Sequence, residues 1–478
     1  MWRGSTEIAS STESRHRWLA MLVAVSLIVT FGLHAAASAH PEGGGKADAA
    51  AALEQMGNEG ADPASSEGVR LLGHADPGGF NADVVAHRNH AYMGSWGTFG
   101  MCPSQGVRVF DLHDPSNPTH VATFADADSE PDLAGTWTEK VIVERFQGRD
   151  IAAVSIQNCV AGDQIMRGWG LWDVTDPADP QRLSLVFTDE RDRGSHEIWF
   201  ERRGNELYVY TAVILSEWLT RADDDTPGAP DFQTWDVSDP TSPEMVGDWG
   251  AWAELGVHPL DGQGTAPVNF VHSVIGAVVG NQHLVYLSYW DLGTVILDVT
   301  DLSAPEFVGR TEFAPDQEGN AHSAWLARGG NVLIEAIEDF NPAPVAGLEQ
   351  AWGYTRIFDV SDPADPVELS TFEMPSTRQV PPPGPGFFSV HDPKVQGSTL
   401  YLSYYAEGVV MVDISDPSNP TRFAQFVPDP SVDPFGVFFP GQAFPNVWGV
   451  FVDRNYVLAS DINNGLWVFE LDRRGGRR

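Results

Sequence analysis

The feature that most constrains the fold is a short segment that recurs seven times along the chain. The clearest copy reads YTRIFDVSDPADP from Tyr354. The other copies read GVRVFDLHDPSNP from Gly106, GLWDVTDPADP from Gly170, FQTWDVSDPTSP from Phe232, TVILDVTDLSAP from Thr294, GVVMVDISDPSNP from Gly408, and a degraded GLWVFELDRR from Gly465. The first acidic residues of successive copies are 54 to 63 residues apart. A fixed period of this size predicts a repeat architecture.

Each copy predicts a strand, a tight corner and the start of another strand. The apolar and β-branched run at residues 356–360 suits a buried strand. Asp362 precedes Pro363, so it favours an extended backbone, and its carboxylate can cap the amides of the turn. Pro366 can begin an outer strand, where its missing amide hydrogen needs no partner. The repeat therefore predicts an inner strand joined by a corner to an edge strand.

Two further strand-like runs precede each copy, as at residues 323–326 and 332–335. Four short strands in each of seven repeats predict an all-β fold, a seven-bladed β-propeller. The run GVRLLG from Gly68 resembles an outer strand but has no corner before it, whereas the last repeat has no outer strand after it. We therefore predict that this N-terminal strand completes the last blade and closes the ring, which leaves no open sheet edge between the first and last blades.

The repeated motif resembles that of the LVIVD-repeat β-propeller proteins, whose blades carry a strand that ends in I-V-D-V-S-D-P-x-x-P. Six copies match, with Leu302 in place of the first proline in the fourth copy, and the resemblance covers about residues 69–471. The resemblance implies the propeller fold and an extracytoplasmic location. It does not imply a particular reaction.

The N-terminus predicts a secretion signal. Arg15 and Arg17 precede an apolar run at residues 18–33, and small residues at 35–39 suit cleavage after Ala39. We predict a signal peptide at 1–39, a flexible linker at 40–67, the propeller at 68–472 and a basic tail at 473–478. The expected protein is a secreted or periplasmic monomer without a membrane span after cleavage; retention of the signal as an anchor is the alternative.

The charge balance excludes one class of partner. The chain has 66 acidic and 28 basic residues, for a net charge of −38, and such a field repels phosphate backbones. Nucleic acid is therefore not an expected partner. The sequence also contains no GxSxG, HExxH or phosphate-binding glycine loop, so serine hydrolase and nucleotide-binding functions have no motif behind them.

The two cysteines occupy equivalent loop positions in neighbouring repeats. Cys102 follows the second predicted strand of blade 1, and Cys159 follows that of blade 2. In an exported protein this placement predicts a disulfide bond. Thiolate binding of a metal is the alternative, although no CxxC spacing accompanies it.

Four histidines begin the predicted first strands of four successive blades. They are His196, His272, His322 and His391. Because innermost strands line the channel of a propeller, the four imidazoles should surround its mouth and could bind Fe, Cu, Mn or Zn. The alternative is that each is a structural hydrogen-bond donor inherited with the repeat. Nearby acidic residues could orient the imidazoles or act as a general base, or they could be solvated loop charges: Glu197, Glu335, Glu338 and Asp461.

The lengths of the loops indicate which face of the propeller is functional. Long insertions follow the second strands of four blades at residues 97–105, 160–168, 217–231 and 338–354, whereas the DPxxP corners on the opposite face are short. Binding residues tend to lie on loops held by a rigid scaffold. We therefore predict a scaffold that binds a small molecule or a protein on its long-loop face. The alternative function is a metal-dependent, oxidoreductase-like enzyme.

Overall fold

The computed structural model describes residues 66–98, 101–159, 165–340, 342 and 345–472. These residues form seven antiparallel blades with almost no helix, which confirms the predicted all-β propeller. The predicted signal peptide, most of the predicted linker and the basic tail lie outside the described residues. No helix in the described ranges is long and apolar enough to cross a membrane.

The strands follow one another through the blades in chain order. The chain begins with β1 (Val69–Ala75). Blade 1 contains β2 (Val84–His87), β3 (His90–Met93), β4 (Val107–Asp111) and β5 (Thr119–Phe124). Blade 2 contains β6 (Thr136–Trp137), β7 (Val141–Phe146), β8 (Arg149–Asn158), β9 (Gly168–Asp173) and β10 (Gln181–Phe187). Blade 3 contains β11 (Ser195–Arg203), β12 (Glu206–Val213), β13 (Phe232–Asp236) and β14 (Glu244–Trp249).

The remaining blades repeat this arrangement. Blade 4 contains β15 (Ser273–Val279), β16 (Gln282–Ser288), β17 (Thr294–Asp298) and β18 (Glu306–Arg310). Blade 5 contains β19 (Ala321–Ala327), β20 (Val332–Ile337), β21 (Thr355–Asp359) and β22 (Val367–Phe372). Blade 6 contains β23 (Pro393–Gln396), β24 (Thr399–Ser403), β25 (Val409–Asp413) and β26 (Thr421–Phe426). Blade 7 contains β29 (Val447–Asp453), β30 (Tyr456–Asp461) and β31 (Gly465–Leu471).

Short elements occupy the connections. A small hairpin before blade 7 pairs β27 (Ser431–Val432) with β28 (Ala443–Phe444). Two short α-helices lie in blade 3 and after it, α1 (Ser216–Leu219) and α2 (Ala251–Leu255). Two 3₁₀ turns span Pro131–Leu133 and Arg328–Gly330.

The DPxxP corners are held by local side-chain hydrogen bonds. Asp362 Oδ1 accepts the Ala364 amide at 3.1 Å, and Asp359 Oδ1 accepts the Ser361 amide at 2.9 Å. The first aspartate makes the same contact in the other copies, for example in Asp111 and Asp236. The recurring aspartates are thus structural turn caps, as the DPxxP pattern predicts.

The N-terminal strand closes the ring as predicted. β1 pairs antiparallel with β31, from Val69 opposite Leu471 to Ala75 opposite Leu466. The resulting sheet has the order β1-β31-β30-β29. Gly73 lies against the corner of blade 1, where a Cβ atom would come within 2.6 Å of the Pro115 carbonyl oxygen. The N-terminal strand β1 and the C-terminal strand β31 are therefore paired within one blade.

The predicted disulfide bond is present. Cys102 and Cys159 are bonded with their Cα atoms 5.6 Å apart, and the bond joins the second-to-third-strand loops of blades 1 and 2.

Replacement of both cysteines by serine is expected to lower the free energy of unfolding by up to about 4 kcal/mol, because the closed loop restricts the unfolded chain. The sequence separation of the bonded cysteines is 57 residues. Denaturant titration of the wild type with and without reductant, beside the double serine variant, measures the effect. Equal unfolding midpoints in all three samples would contradict the expectation.

Candidate functional site

The starts of the innermost strands form two layers around the channel. The layer nearer the long loops contains Glu139, His196, His272, His322, His391 and Trp448. The second layer contains Asp83, Lys140, Glu197, Ser273, Ser323 and Asp392. Five of these directly follow a first-layer residue, and Asp83 follows Ala82 of blade 1. β-Bulges occur at this level in blades 3, 5 and 7, where the register shifts by one residue. A bulge re-aims side chains, so two consecutive residues can serve one site.

All four predicted histidines lie side by side in the first layer. The ring centroids of His196 and His272 are 4.2 Å apart, those of His272 and His322 are 4.0 Å apart, and those of His322 and His391 are 4.4 Å apart. Each residue is less than one tenth exposed. The imidazoles therefore form a continuous buried row that spans four blades.

Hydrogen bonds fix the orientation of three of the rings. His322 Nδ1 lies 3.0 Å from the His391 carbonyl oxygen of the next blade, and His272 Nδ1 lies 3.1 Å from Ser273 Oγ. His196 Nδ1 lies 2.6 Å from Gln157 Oε1. Because a carbonyl oxygen can only accept, His322 carries its proton on Nδ1 and keeps the lone pair on Nε2, and this is how outer partners select the free nitrogen of a ligating histidine.

The environment keeps these imidazoles neutral. Burial lowers the pKa of His196 to about 3, with a smaller contribution from the Lys140 charge. Burial also lowers the pKa of His272, His322 and His391 well below the ordinary value. A neutral imidazole retains the lone pair that binds a metal ion or accepts a proton.

Two buried carboxyl groups lie next to the row. Glu338 Oε2 is 3.5 Å from His322 Nε2, and Glu338 Oε1 is 3.9 Å from His391 Nε2 and accepts the Tyr405 hydroxyl. Burial raises the pKa of Glu338 to about 8. At the other end of the row, Glu139 Oε2 is 3.2 Å from His196 Nδ1, and burial raises the pKa of Glu139 well above its usual range.

The second layer is an ionic network. Lys140 Nζ lies 2.6 Å from Asp83 Oδ2 and 3.2 Å from Glu197 Oε2. Burial alone would lower the pKa of Lys140, but these carboxylates raise it. Lys394 pairs with Asp392 and lies over the Trp325 ring, 4.7 Å from its centroid. Below the histidines, the channel therefore holds paired charges.

Above the histidines lies a cavity of about 190 Å³. Its walls are mostly aromatic and include Trp96, Trp137, Phe340, Phe387, Tyr405, Phe438 and Trp448. The four-blade row contributes three of its histidines to the floor, together with Glu139 and Glu338. Partly exposed Thr98, Ile214 and Ala266 border it on the long-loop face. The cavity thus combines an apolar wall with a small polar floor, which is typical of small-molecule sites.

Residues of the long connections build much of the wall. Phe438 is 5.5 Å from Phe387 between ring centroids, and Phe340 is 4.8 Å from Phe387. The amide of Phe438 is held by Asp433, which also accepts the Phe435 amide at 2.7 Å. These loops fold inward over the channel mouth, so they enclose a site as well as forming a surface.

One long loop is anchored in the core. Glu217 accepts the amides of Trp252 and Ala253 at 2.9 and 2.8 Å, and Asp231 accepts the Tyr289 hydroxyl at 3.0 Å. Both carboxyl groups are buried, and burial raises the pKa of each. The loop at 217–231 is therefore part of the fold rather than an independent surface insertion.

The acidic residues identified in the sequence have different positions. Glu338 lies at the histidine row and Glu197 lies in the second layer. Glu335 is fully buried away from the histidine row and from the second layer, and it pairs there with Arg356 at 2.9 Å. Asp461 caps the amides of Asn446 and Asn463 at 2.7 and 2.8 Å. The interpretation of these groups as solvated loop charges is therefore wrong for Glu335, Glu338 and Asp461, because each is enclosed by hydrogen-bond donors.

Sequence reasoning missed other residues of the site. Glu139 and Trp448 stand at the position that histidine occupies in blades 3 to 6, and Trp448 Nε1 donates to Glu139 Oε1 at 3.1 Å. Alignment of the first strands could have identified these two residues. Tyr405 and the loop residues of the aromatic wall had no comparable signal, because the loops that carry them are of irregular length.

The fold and the site together define a seven-bladed β-propeller with an aromatic cavity at one end of its channel. The LVIVD repeat model matches residues 277–312 in blade 4 and 389–426 in blade 6, so the chain carries LVIVD repeats in these blades. This confirms the resemblance seen in the motif. The repeat supports a binding scaffold in general terms.

Similar solved structures share the architecture at low sequence identity. Raptor from Chaetomium thermophilum is 12% identical, with a TM-score of 0.51 over 85% of this chain and 30% of that one. Sqt1 from Saccharomyces cerevisiae is 9% identical, with a TM-score of 0.49 over 84% and 99% of the two chains. The β-propeller domain of Cps50 (Swd1) from Myceliophteria thermophila is 12% identical, with a TM-score of 0.48 over 84% and 99%. No curated protein matches the chain by sequence.

Proposed function

We propose that the protein is an exported scaffold that binds a small, predominantly apolar molecule in the cavity of its long-loop face. The observation that carries the proposal is the aromatic cavity itself, enclosed by side chains from several blades over a floor of imidazoles. Burial of an apolar ligand against such walls is favourable by about 25 cal/mol per Å² of apolar surface removed from water. The few polar groups on the floor would orient one end of the ligand.

The charge of the protein favours a ligand without an anionic group. The net charge of −38 repels anions. Glu139 and Glu338 stand on the cavity floor, and because burial raises the pKa of both, they present uncharged hydrogen-bonding carboxyl groups near neutral pH. A neutral molecule with one hydrogen-bonding end fits this combination. Export is supported by the predicted signal segment and by the disulfide bond, since such bonds persist in oxidising compartments.

Substitution of Ala266 by tryptophan is expected to weaken binding of a neutral apolar probe by about tenfold or more, equivalent to 1.4 kcal/mol, because the new ring fills the partly exposed border of the cavity. The probe is N-phenyl-1-naphthylamine, whose fluorescence rises in apolar surroundings. The measurement is a fluorescence titration of the purified wild type and variant.

The matched control is Ala178→Trp, at an exposed corner of blade 2. This variant should bind the probe as the wild type does, at one molecule per chain. Undiminished affinity in Ala266→Trp, or an equal loss in both variants, would contradict a cavity site. Mass spectrometry of the exported protein under native conditions would then search for a molecule that remains bound after purification.

The second candidate function is a metal-dependent, oxidoreductase-like enzyme. The specific observation in its favour is that the cavity floor presents neutral imidazoles to whatever occupies the cavity. A metal ion at that place would lie in contact with the bound molecule. Ligand binding does not require the metal, so the two functions can be tested separately.

A further inference from the structure

His391, at one end of the histidine row, lacks hydrogen-bond partners for its ring nitrogens among the described residues. Both ring nitrogens of His391 are buried without a hydrogen-bond partner among the described residues, although the residue is only 4% exposed. An unpartnered buried polar atom costs about 1–3 kcal/mol. A native site that keeps such a cost often does so for a ligand.

His322 and Glu338 direct further ligand atoms to the same place. His322 donates from Nδ1 to the His391 carbonyl oxygen, which leaves Nε2 with its lone pair. Glu338 accepts the Tyr405 hydroxyl on Oε1, which leaves Oε2 facing His322. One ligand atom from each of His322, Glu338 and His391 can be chosen so that all three lie within 4.8 Å of one another.

From this convergence we propose that a single transition-metal ion binds between His322, His391 and Glu338, with its open coordination positions toward the cavity. The proposal rests on the second candidate function and is independent of apolar ligand binding. Ligand atoms about 2.1 Å from a metal lie about 3 to 3.4 Å apart. Glu338 Oε2 lies 3.5 Å from His322 Nε2, close to that spacing. The three ligand atoms, which lie within 4.8 Å of one another, would have to approach by up to about 1 to 2 Å to bind one ion.

The other two histidines are engaged with each other. His196 Nε2 lies 2.9 Å from His272 Nε2, a hydrogen bond that requires one of the two rings to carry its proton on Nε2, and His196 Nδ1 lies 2.6 Å from the side-chain amide of Gln157. His272 Nδ1 is 3.1 Å from Ser273 Oγ, which donates to the His322 carbonyl oxygen. This chain of contacts supports the backbone of His322. We therefore assign positioning roles to His196 and His272 rather than the four-histidine metal site expected from the sequence.

The donor set also indicates the class of metal. Two imidazoles and one carboxylate with open positions are typical of mononuclear non-haem Fe(II) sites, and the same donors accept Mn(II), Co(II) and Zn(II). The carboxylate adds the negative charge that four imidazoles would lack. In the layer below, the charge of Lys140 is offset by Asp83 and Glu197.

The test is metal binding by the full-length exported protein. Protein depleted of metal with a chelator is titrated with Co(II), followed by visible absorption, and is loaded anaerobically with Fe(II) for elemental analysis. We expect one ion per chain. Glu338→Gln, which keeps the size of the side chain, and His391→Ala should each weaken Co(II) binding by about 100-fold or more, beyond the 10–100-fold typical of outer partners.

Two control variants separate this site from its alternatives. His196→Gln should retain the ion within about tenfold. His113→Ala should have no effect, although His113 belongs to a partly exposed group with His90 and Asp111 that could also hold an ion. Thermal melting of each variant beside the wild type shows that the propeller remains folded.

Three results would overturn the proposal. The first is the absence of stoichiometric Co(II) and Fe(II) in folded wild-type protein. The second is full retention of the ion in Glu338→Gln together with its loss in His196→Gln, which would assign the metal to the histidine row instead. The third is loss of the ion only in His113→Ala. None of these results depends on whether the cavity binds the apolar probe.

Discussion

A chain that lacks residues 40–75 but keeps the predicted signal segment 1–39 is expected to aggregate or to melt far below the wild type. Without β1, the strand β31 becomes an open edge with unpaired backbone groups. Such an edge is a template for intermolecular pairing. The deletion also removes Val69 and Leu72 from the apolar clusters on either side of blade 7. Two partly buried aliphatic side chains contribute about 3 kcal/mol, and the lost strand pairing adds to that.

Contacts on both sides of β1 make the effect larger. His74 stacks on Trp467 with ring centroids 3.9 Å apart, and Arg70 pairs with Glu470 at 2.7 Å. Glu67, just before the strand, exchanges backbone hydrogen bonds with Gln425 of blade 6 at 2.9 Å. The N-terminal segment therefore joins blades 6 and 7, so its removal should loosen two blades.

The matched control is deletion of residues 40–65, which retains β1 and the Glu67 contact. Thermal melting and light scattering of both forms, each produced with the same residues 1–39, measure the difference. The shorter deletion should behave as the wild type does. An unchanged melting temperature in the longer deletion would show that the ring does not depend on this closure.

Substitution of Glu335 by alanine is expected to lower the free energy of unfolding by about 3–5 kcal/mol, because it leaves a buried guanidinium without its main counter-charge. Glu335 and Arg356 are 0% and 2% exposed, and their side chains are 2.9 Å apart. Glu335 Oε2 also accepts the hydroxyls of Thr294 and Thr311 at 2.7 and 2.6 Å. Because those threonines belong to blade 4, the carboxylate joins two blades.

The control is Glu312→Ala in the same region. Glu312 is 73% exposed and pairs with Arg310 at 2.8 Å, and exposed ion pairs contribute about 1 kcal/mol or less. Guanidinium unfolding of both variants should give a lower midpoint only for Glu335→Ala, with an unchanged dependence on denaturant. Equal small losses would show that Arg356 is satisfied by Glu368 and the Glu312 carbonyl alone.

The position of Glu335 also explains why a stabilising role could not be separated from a functional one in the sequence. Glu335 and Glu338 are three residues apart near the end of the second strand of blade 5. Glu335 lies within β20 and faces blade 4, whereas Glu338 follows the strand end and faces the channel mouth. The difference depends on where the strand stops and which blade packs beside it, and both are tertiary properties.

The sequence by itself determined the number of blades, the corners, the disulfide pairing and the closing strand. These features follow from local chemistry repeated at a fixed period: the aspartate that caps the turn two residues later, the proline that ends the pairing, and the outer strand missing from one end and present at the other. It also identified the histidine row, because equivalent positions of successive repeats must lie at the same level of the channel.

Only the tertiary structure determined which groups surround the histidine row in the channel. Glu139 and Trp448 meet across 309 residues of sequence, and Glu338 reaches the row from the end of a second strand rather than from the start of a first strand. Apart from Trp137 in β6 and Trp448 in β29, the aromatic wall comes from loops that share no repeat pattern, so no periodicity could place those loop residues. Imidazoles at equivalent positions therefore differ in their contacts: His196 Nε2 lies against His272 Nε2, whereas neither ring nitrogen of His391 has a hydrogen-bond partner among the described residues.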